Sequence, residues 1–195
     1  MARLDRFVAL LLAWQERMNL IAPSTATTIW TRHIADSLQL IGLAPAARVW
    51  VDLGSGAGFP GLVVACALAE APGARVHLVE SNTRKAAFLR EASRETKLPA
   101  VIHPVRIADF VDDLNEPVDI VTARALAPLA DLLAAAYPLL TLGTRGLFPK
   151  GQDVGAELTA ATKCWSIEAS LVPSRIDPKG QIIVVESAQP NHKCE

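Results

Sequence analysis

Val51-Asp52-Leu53-Gly54-Ser55-Gly56-Ala57-Gly58-Phe59-Pro60-Gly61 is the stretch whose reading decides the fold. The apolar segment leading into it, Val49–Leu53, reads as a strand, and residues 60–69 read as a helix. Glycines between them let the chain turn sharply and let a ligand approach the backbone closely. Pro60 suits a first helical turn, where a missing N–H does no harm. A strand, a glycine loop and a helix form the opening unit of a doubly wound α/β sheet. Such sheets bind ligands at the carboxyl ends of their strands, near the point where strand order reverses.

Working outward, short apolar runs alternate with helical patterns. Residues 75–79, 101–105, 118–121 and 146–148 read as strands, and 83–96, 126–136 and 153–162 as helices. That alternation implies a parallel sheet covered on both faces. Residues 165–172 and 181–186 are joined only by a loop, which suits an antiparallel hairpin at one edge. Upstream, residues 1–44 read as a helical segment packed on a domain spanning 45–195, the whole forming one structural unit. Arg3, Arg6 and the apolar run after them imitate a signal peptide. Asp5 interrupts the basic patch, however, and Gln15-Glu16-Arg17 stands where small residues should be. Leu4, Phe7, Val8, Leu11 and Met18 fall close to helical spacing, so an amphipathic helix ending near 18–19 is expected. A second helix over 26–41 would put Trp30, Ile34, Leu38 and Ile41 on one face.

The chain has 195 residues, of which 51% are hydrophobic and 20% charged, as in one globular domain rather than a disordered chain. Its 19 basic and 20 acidic residues leave a formal net charge of −1, which excludes recognition by bulk positive charge. Any nucleic-acid partner must meet a local basic face. The most basic stretch is 81–106, with six basic residues against Glu91 and Glu95. Within it Arg90, Arg94 and Lys97 share a helix face and are the candidate RNA contacts; a solvated face is the plainer alternative. No apolar run reaches the ~18 residues of a membrane span. Cys66, Cys164 and Cys194 are widely spaced, which suggests neither a zinc site nor a disulfide framework and fits a cytoplasmic location. No metal site is expected.

The glycine loop is not a dinucleotide fingerprint, because Phe59 occupies the third glycine position of G-x-G-x-x-G. The spacing is Asp-x-Gly-x-Gly-x-Gly, from Asp52 through Gly54 and Gly56. An aspartate beside the loop would repel a pyrophosphate and suits a cationic ligand such as S-adenosylmethionine. Glu80 ends the second strand, 28 residues after Asp52, and is placed to accept both hydroxyls of a ribose. A nicotinamide cofactor, or a turn with no ligand, stays open on these residues alone.

Further segments make the pattern specific. They are Asn19-Leu20, Arg32-His33-x-x-Asp36-Ser37, Glu80-Ser81 with Arg84-Lys85 and Phe88-Leu89, Thr122-Ala123-Arg124-Ala125, and Lys150-Gly151. With the glycine loop, they resemble the RsmG (GidB) family, methyltransferases of guanine N7 in small-subunit (16S) ribosomal RNA. The resemblance spans most of the chain. It implies a Rossmann-like class I S-adenosylmethionine-dependent methyltransferase sheet with an N-terminal helical segment. It implies cofactor contacts at Gly54, Phe59, Ile107, Ala108 and Arg124. Ala108 stands where the family often has an acidic residue, which leaves only a backbone contact there. The family also usually carries more N-terminal helix than this chain.

Arg124 follows a strand end and is expected to bind the cofactor or hold the target base. Arg32, His33 and Lys150 are further base-positioning candidates; Arg32 and Asp36, four apart, also suit a simple surface ion pair. His77 lies inside a strand and reads as structural. The chain lacks an Asn-Pro-Pro-Tyr segment and a cysteine placed for attack on a pyrimidine. Guanine N7 needs neither device, since its in-plane lone pair carries no proton. No general base is therefore assigned. The expectation is a cytoplasmic, monomeric rRNA methyltransferase. The alternatives are a methyltransferase of a small molecule or protein, a non-catalytic RNA- or nucleotide-binding module, and an NAD-linked oxidoreductase.

Overall fold

Seven strands form one sheet in the order β3-β2-β1-β4-β5-β7-β6 in this computed structural model, which describes residues 1–191. The strands are β1 (Val49–Leu53), β2 (Arg75–Val79), β3 (Ala100–His103), β4 (Ile120–Thr122), β5 (Arg145–Lys150), β6 (Trp165–Pro173) and β7 (Gln181–Pro190). The first five are parallel, and β7 runs antiparallel to both β5 and β6. The edge hairpin expected from the missing helix is therefore present. Strand order reverses between β1 and β4, so the loops after these two strands open a crevice.

Side chains alternate across β1: Trp50 joins one apolar layer, Val51 and Leu53 the other. On the Trp50 face lie α1 (Ala2–Gln15), α2 (Asp36–Leu43), α3 (Gly61–Ala67) and α4 (Thr83–Thr96). On the other lie α5 (Ile107–Asp113), α6 (Leu129–Leu140) and α7 (Val154–Ala161). α1 buries Leu4, Phe7, Val8 and Leu11 as its spacing predicts, and none of the described helices is long and apolar enough to cross a membrane. The helix ends at Gln15, short of Met18, because the Gln15 side chain turns the chain. Its Oε1 accepts from the Leu20 and Ile21 N–H groups, and its Nε2 donates to Ile21 O.

The structure corrects several expectations. Residues 26–41 are not one α-helix: a 3-10 turn (Pro23–Thr28) and a π-helical turn (Trp30–Ala35) precede α2. The wider π turn rotates the faces, leaving Trp30 exposed while Ile34, Ser37 and Leu40 are buried. β3 stops at His103, before Pro104, and the chain then forms α5, a helix absent from the sequence reading. Cys66 is a free thiol pushed up to about 12 by burial. Cys194 lies outside the described residues.

Candidate active site

The glycine loop folds over the carboxyl end of β1 with Gly54, Gly56 and Gly58 at φ of 66°, 54° and 88°. Asp52 holds the loop from beneath. Its Oδ2 accepts the Gly61 N–H at 3.0 Å, and a Cβ on Gly61 would lie 2.6 Å from that oxygen, so no larger residue fits. Asp52 is buried, with Oδ1 unpartnered, and burial pushes its carboxyl up to about 7. Asp52 thus braces the loop and does not line the cavity in front of it.

Glu80, at the end of β2, closes the loop from the other side. Its Oε2 accepts the Gly56 N–H at 2.9 Å and its Oε1 the Asn82 N–H at 2.8 Å. Each oxygen keeps a lone pair for a ligand. Gly54, Gly56, Phe59, Glu80, Ile107 and Arg124 all line one cavity of about 790 Å³. Ala108 does not line it, because α5 starts at Ile107 and turns the next residue outward. Sequence reasoning missed Lys85, Arg106 and Leu126, which also line it, and Ile21 and Ala22 from the linker that Gln15 orders. Their signal was faint: each lies within two residues of a recognised segment or a strand end. The open space beside Gly56, where an added Cβ would meet only Gly54 O at 3.7 Å, is a cradle for a ligand lying against backbone. The spare acceptors of the Glu80 carboxylate, the one acidic side chain lining this cavity among the described residues, suit the hydroxyls of a nucleoside.

At the far wall stands a linked group. Arg124 donates from Nη2 to His33 Nδ1 at 2.6 Å, and from Nη1 to Arg32 O at 3.1 Å and Asp36 Oδ2 at 3.3 Å. Arginine only donates, so His33 Nδ1 carries no proton and Nε2 does. His33 Nε2 therefore donates to Thr25 Oγ1 at 3.0 Å, and that hydroxyl donates to Ala22 O at 2.8 Å. The His33 ring stacks on Phe59 with centroids 4.8 Å apart, and the Arg124 guanidinium lies 5.2 Å from the same ring. Ala125, next along, has φ of 53°, a left-handed conformation that costs a non-glycine residue about 1–2 kcal/mol. The turn that presents Arg124 is held in place by its surroundings. Asp36 pairs with Arg124, and Arg32 pairs instead with Asp177 at 3.2 Å, so the expected Arg32–Asp36 pair does not form. The π turn carries these two side chains to different partners.

Burial, with the charges of Arg124 and Arg32, lowers the His33 pKa from 6.5 to about 4. As pH falls through 6.5 the unfolded chain takes up a proton that folded His33 does not. Its contribution to stability is thus full above 6.5 and lost as pH falls toward 4. The difference in Tm between wild type and His33→Asn should accordingly narrow between pH 7 and pH 4, measured by calorimetry at each pH. A pH-independent difference would contradict neutral burial.

A second cavity, of about 690 Å³, shares His33, Arg124, Ala125 and Leu126 with the first. Arg32, Asp36, Lys150, Glu157 and Asp177 also line it. The structure therefore brings Arg32, His33, Arg124 and Lys150 together. It leaves Arg90, Arg94 and Lys97 outside both cavities. Arg94 pairs with Glu95, and Lys97 caps α4 in a left-handed conformation rather than extending its face. His77 is buried and bonded through Nδ1 to His103 Nε2 at 3.0 Å. Among the described residues, no cluster of His, Cys, Asp and Glu is arranged to hold a metal ion.

The Glu80 contacts yield a graded expectation. Glu80→Ala removes both loop contacts and the spare acceptors, and should weaken nucleoside binding by about 2–3 kcal/mol. Glu80→Gln keeps one acceptor oxygen and should lose about half as much. Equal affinities for both variants and wild type, by calorimetry with S-adenosylhomocysteine, would remove Glu80 from the ligand.

Comparison with known proteins gives one family. The family model described as rRNA small subunit methyltransferase G matches residues 1–182. A ribosomal RNA small subunit methyltransferase G from a Bradyrhizobium species is 59% identical over 184 residues, covering 94% of this chain and 83% of that protein. One from Rhodopseudomonas palustris is 54% identical over 189 residues, covering 97% of this chain and 81% of that protein. Among solved structures, an O-methyltransferase from Bacillus cereus in complex with SAH superposes with a TM-score of 0.63 at 18% identity, covering 93% of this chain and 90% of that one. The last likeness shows the fold, a class I methyltransferase sheet. With the sheet order, the glycine loop and its partner carboxylate in place, the sequence match settles the lineage: the chain belongs to the rRNA small subunit methyltransferase G family.

Proposed function

We propose that this enzyme transfers a methyl group from S-adenosylmethionine to N7 of a guanine in small-subunit ribosomal RNA. One observation carries the reading: two cavities meet at a shared wall of His33, Arg124, Ala125 and Leu126. A donor in the first and a base in the second would face each other across that wall. The residues of the first cavity that would hold the cofactor are Gly54, Gly56, Phe59, Glu80 and Ile107, with Asp52 bracing the loop. Arg32, His33, Arg124 and Lys150 would position the base.

S-adenosylmethionine supplies its methyl on a positively charged sulfonium, so transfer to a neutral ring nitrogen moves a positive charge rather than creating one. The chain's residues accordingly need only align the reactants and keep water out. His33 stays neutral and holds Arg124 in a fixed direction. Asp36 offsets the Arg124 charge, so the wall does not repel a base that becomes cationic. No residue is required to remove a proton, because N7 has none.

The test is direct. Purified enzyme with isotopically labelled S-adenosylmethionine is offered rRNA, small subunits and a panel of small molecules and proteins. Label recovered as 7-methylguanosine in rRNA supports the reading, and label in any other acceptor class contradicts it.

The RNA must also be held outside the cavities. Arg90 and Arg94 point outward from α4, and Lys97 stands at its end. If they hold phosphates, changing all three to alanine should flatten the log–log salt slope of RNA binding by about 2 units. Cofactor affinity should not change. An unaltered slope would assign RNA binding to Arg32 and the basic groups at the cavity mouths, Lys85 and Arg106.

A further inference from the structure

The second cavity holds one carboxylate oxygen that accepts no hydrogen bond among the described residues. Asp36 is fully engaged, with Oδ1 accepting from Gln39 and Oδ2 from Arg124. Asp177 is engaged likewise, with Oδ1 accepting the Lys179 N–H and Oδ2 the Arg32 guanidinium. Glu157 differs. Its Oε2 accepts both the Leu129 N–H at 2.9 Å and Lys150 Nζ at 2.7 Å, while Oε1 takes no hydrogen bond among the described residues. Lys150 is its complement. Nζ spends two of its three N–H groups, on Ala127 O at 2.8 Å and on Glu157, and has one left. The Lys150 side chain is only 10% exposed, so that spare donor has little access to bulk water.

We infer that the Lys150–Glu157 pair is the guanine reader of this enzyme: Lys150 Nζ donates to O6 and Glu157 Oε1 accepts from N1–H. This rests on the proposed rRNA guanine-N7 activity. One spare donor beside one spare acceptor matches the six-membered edge of guanine, where O6 accepts and the neighbouring N1–H donates. Adenine presents the reverse, an amino donor toward the lysine and a lone pair toward the carboxylate. It would leave both protein groups unpaired and meet like with like. The order of groups also fits. Around the ring N7 is followed by O6 and then N1; along the loop after Arg124, Ala127 O holds Lys150 and the Leu129 N–H, two residues further, holds Glu157. Selection of the base would thus come from an ion pair set between β5 and α7, outside the glycine loop.

Glu157 also caps the first N–H of α6, so the test must separate reading from scaffolding. Glu157→Gln keeps a carbonyl for Leu129 and Lys150 but puts an amide donor in place of Oε1. With S-adenosylhomocysteine bound, guanosine, inosine and adenosine monophosphates are titrated into wild type and Glu157→Gln by calorimetry, and rRNA methylation is followed in parallel. Wild type should bind the guanosine and inosine nucleotides within about 3-fold of each other and adenosine about 10-fold more weakly. Glu157→Gln should shrink that preference to about 2-fold and lower kcat/KM on rRNA by about 10-fold or more, with cofactor affinity unchanged; Tm falls somewhat, because Lys150 loses its counter-charge. An undiminished preference in the variant, or no preference in wild type, overturns the inference. If that variant does not fold, Lys150→Met takes its place: it should likewise shrink the guanosine and inosine preference to about 2-fold, and an undiminished preference overturns the inference. A wild type that prefers guanosine yet leaves rRNA unmethylated keeps the guanine pocket and overturns the rRNA reading instead.

Discussion

Arg124→Met should lower methyl transfer by about 100–1000-fold, the loss typical of removing one preorganised donor from a reacting centre. Methionine fills similar space but makes none of the three contacts of the guanidinium. His33 Nδ1 then loses its donor, so the ring is free to change tautomer and leave Thr25. Asp36 is left as an unpaired, largely buried carboxylate, which adds about 2–3 kcal/mol of instability. Arg124→Lys should restore the charge and some stability but little activity, because a lysine cannot hold His33, Asp36 and Arg32 O at once. Single-turnover rates and thermal melts separate the two effects. A lysine variant with wild-type rate would reduce Arg124 to a simple charge.

Gly56→Val should abolish useful cofactor binding while the sheet stays folded. The residue sits at φ of 54°, where a β-branched side chain is strained, and its Cβ would project beside the loop into open space. The Gly56 N–H that holds Glu80 would move with it. A weakening of about 100-fold, close to 2.7 kcal/mol, is expected by calorimetry with S-adenosylmethionine. Unchanged affinity would remove the glycine loop from the site.

Much of this was legible in the sequence because it is local. The strand, glycine loop and helix from Val49 to Ala67 are written contiguously, and the amphipathic period of α4 marks its bounds. Glu80 could be placed because a doubly wound sheet sets β2 beside β1. What was not legible depends on distance or on small departures from regular geometry. The partner of Asp36 is Arg124, 88 residues away, and only the π turn over Trp30–Ala35 reveals that Arg32 is not available to it. The role of Asp52 as a brace needs the closeness of Gly61, which the loop provides only once folded. Short α5 carries three aspartates and a weak apolar face, so periodicity gives no signal for it. Glu157 reads as an ordinary surface glutamate on α7 until the fold sets it against Lys150 and the start of α6.

In the proposed reaction the two cavities meeting at Arg124 join a methyl donor to guanine N7 of small-subunit rRNA. The most direct measurement is nucleoside mass spectrometry of that rRNA from cells lacking the gene, complemented with wild type or with Arg124→Met. The account predicts that one 7-methylguanosine disappears in the deletion, returns with wild type, and stays largely absent with Arg124→Met. An unchanged 7-methylguanosine content in the deletion strain would contradict it.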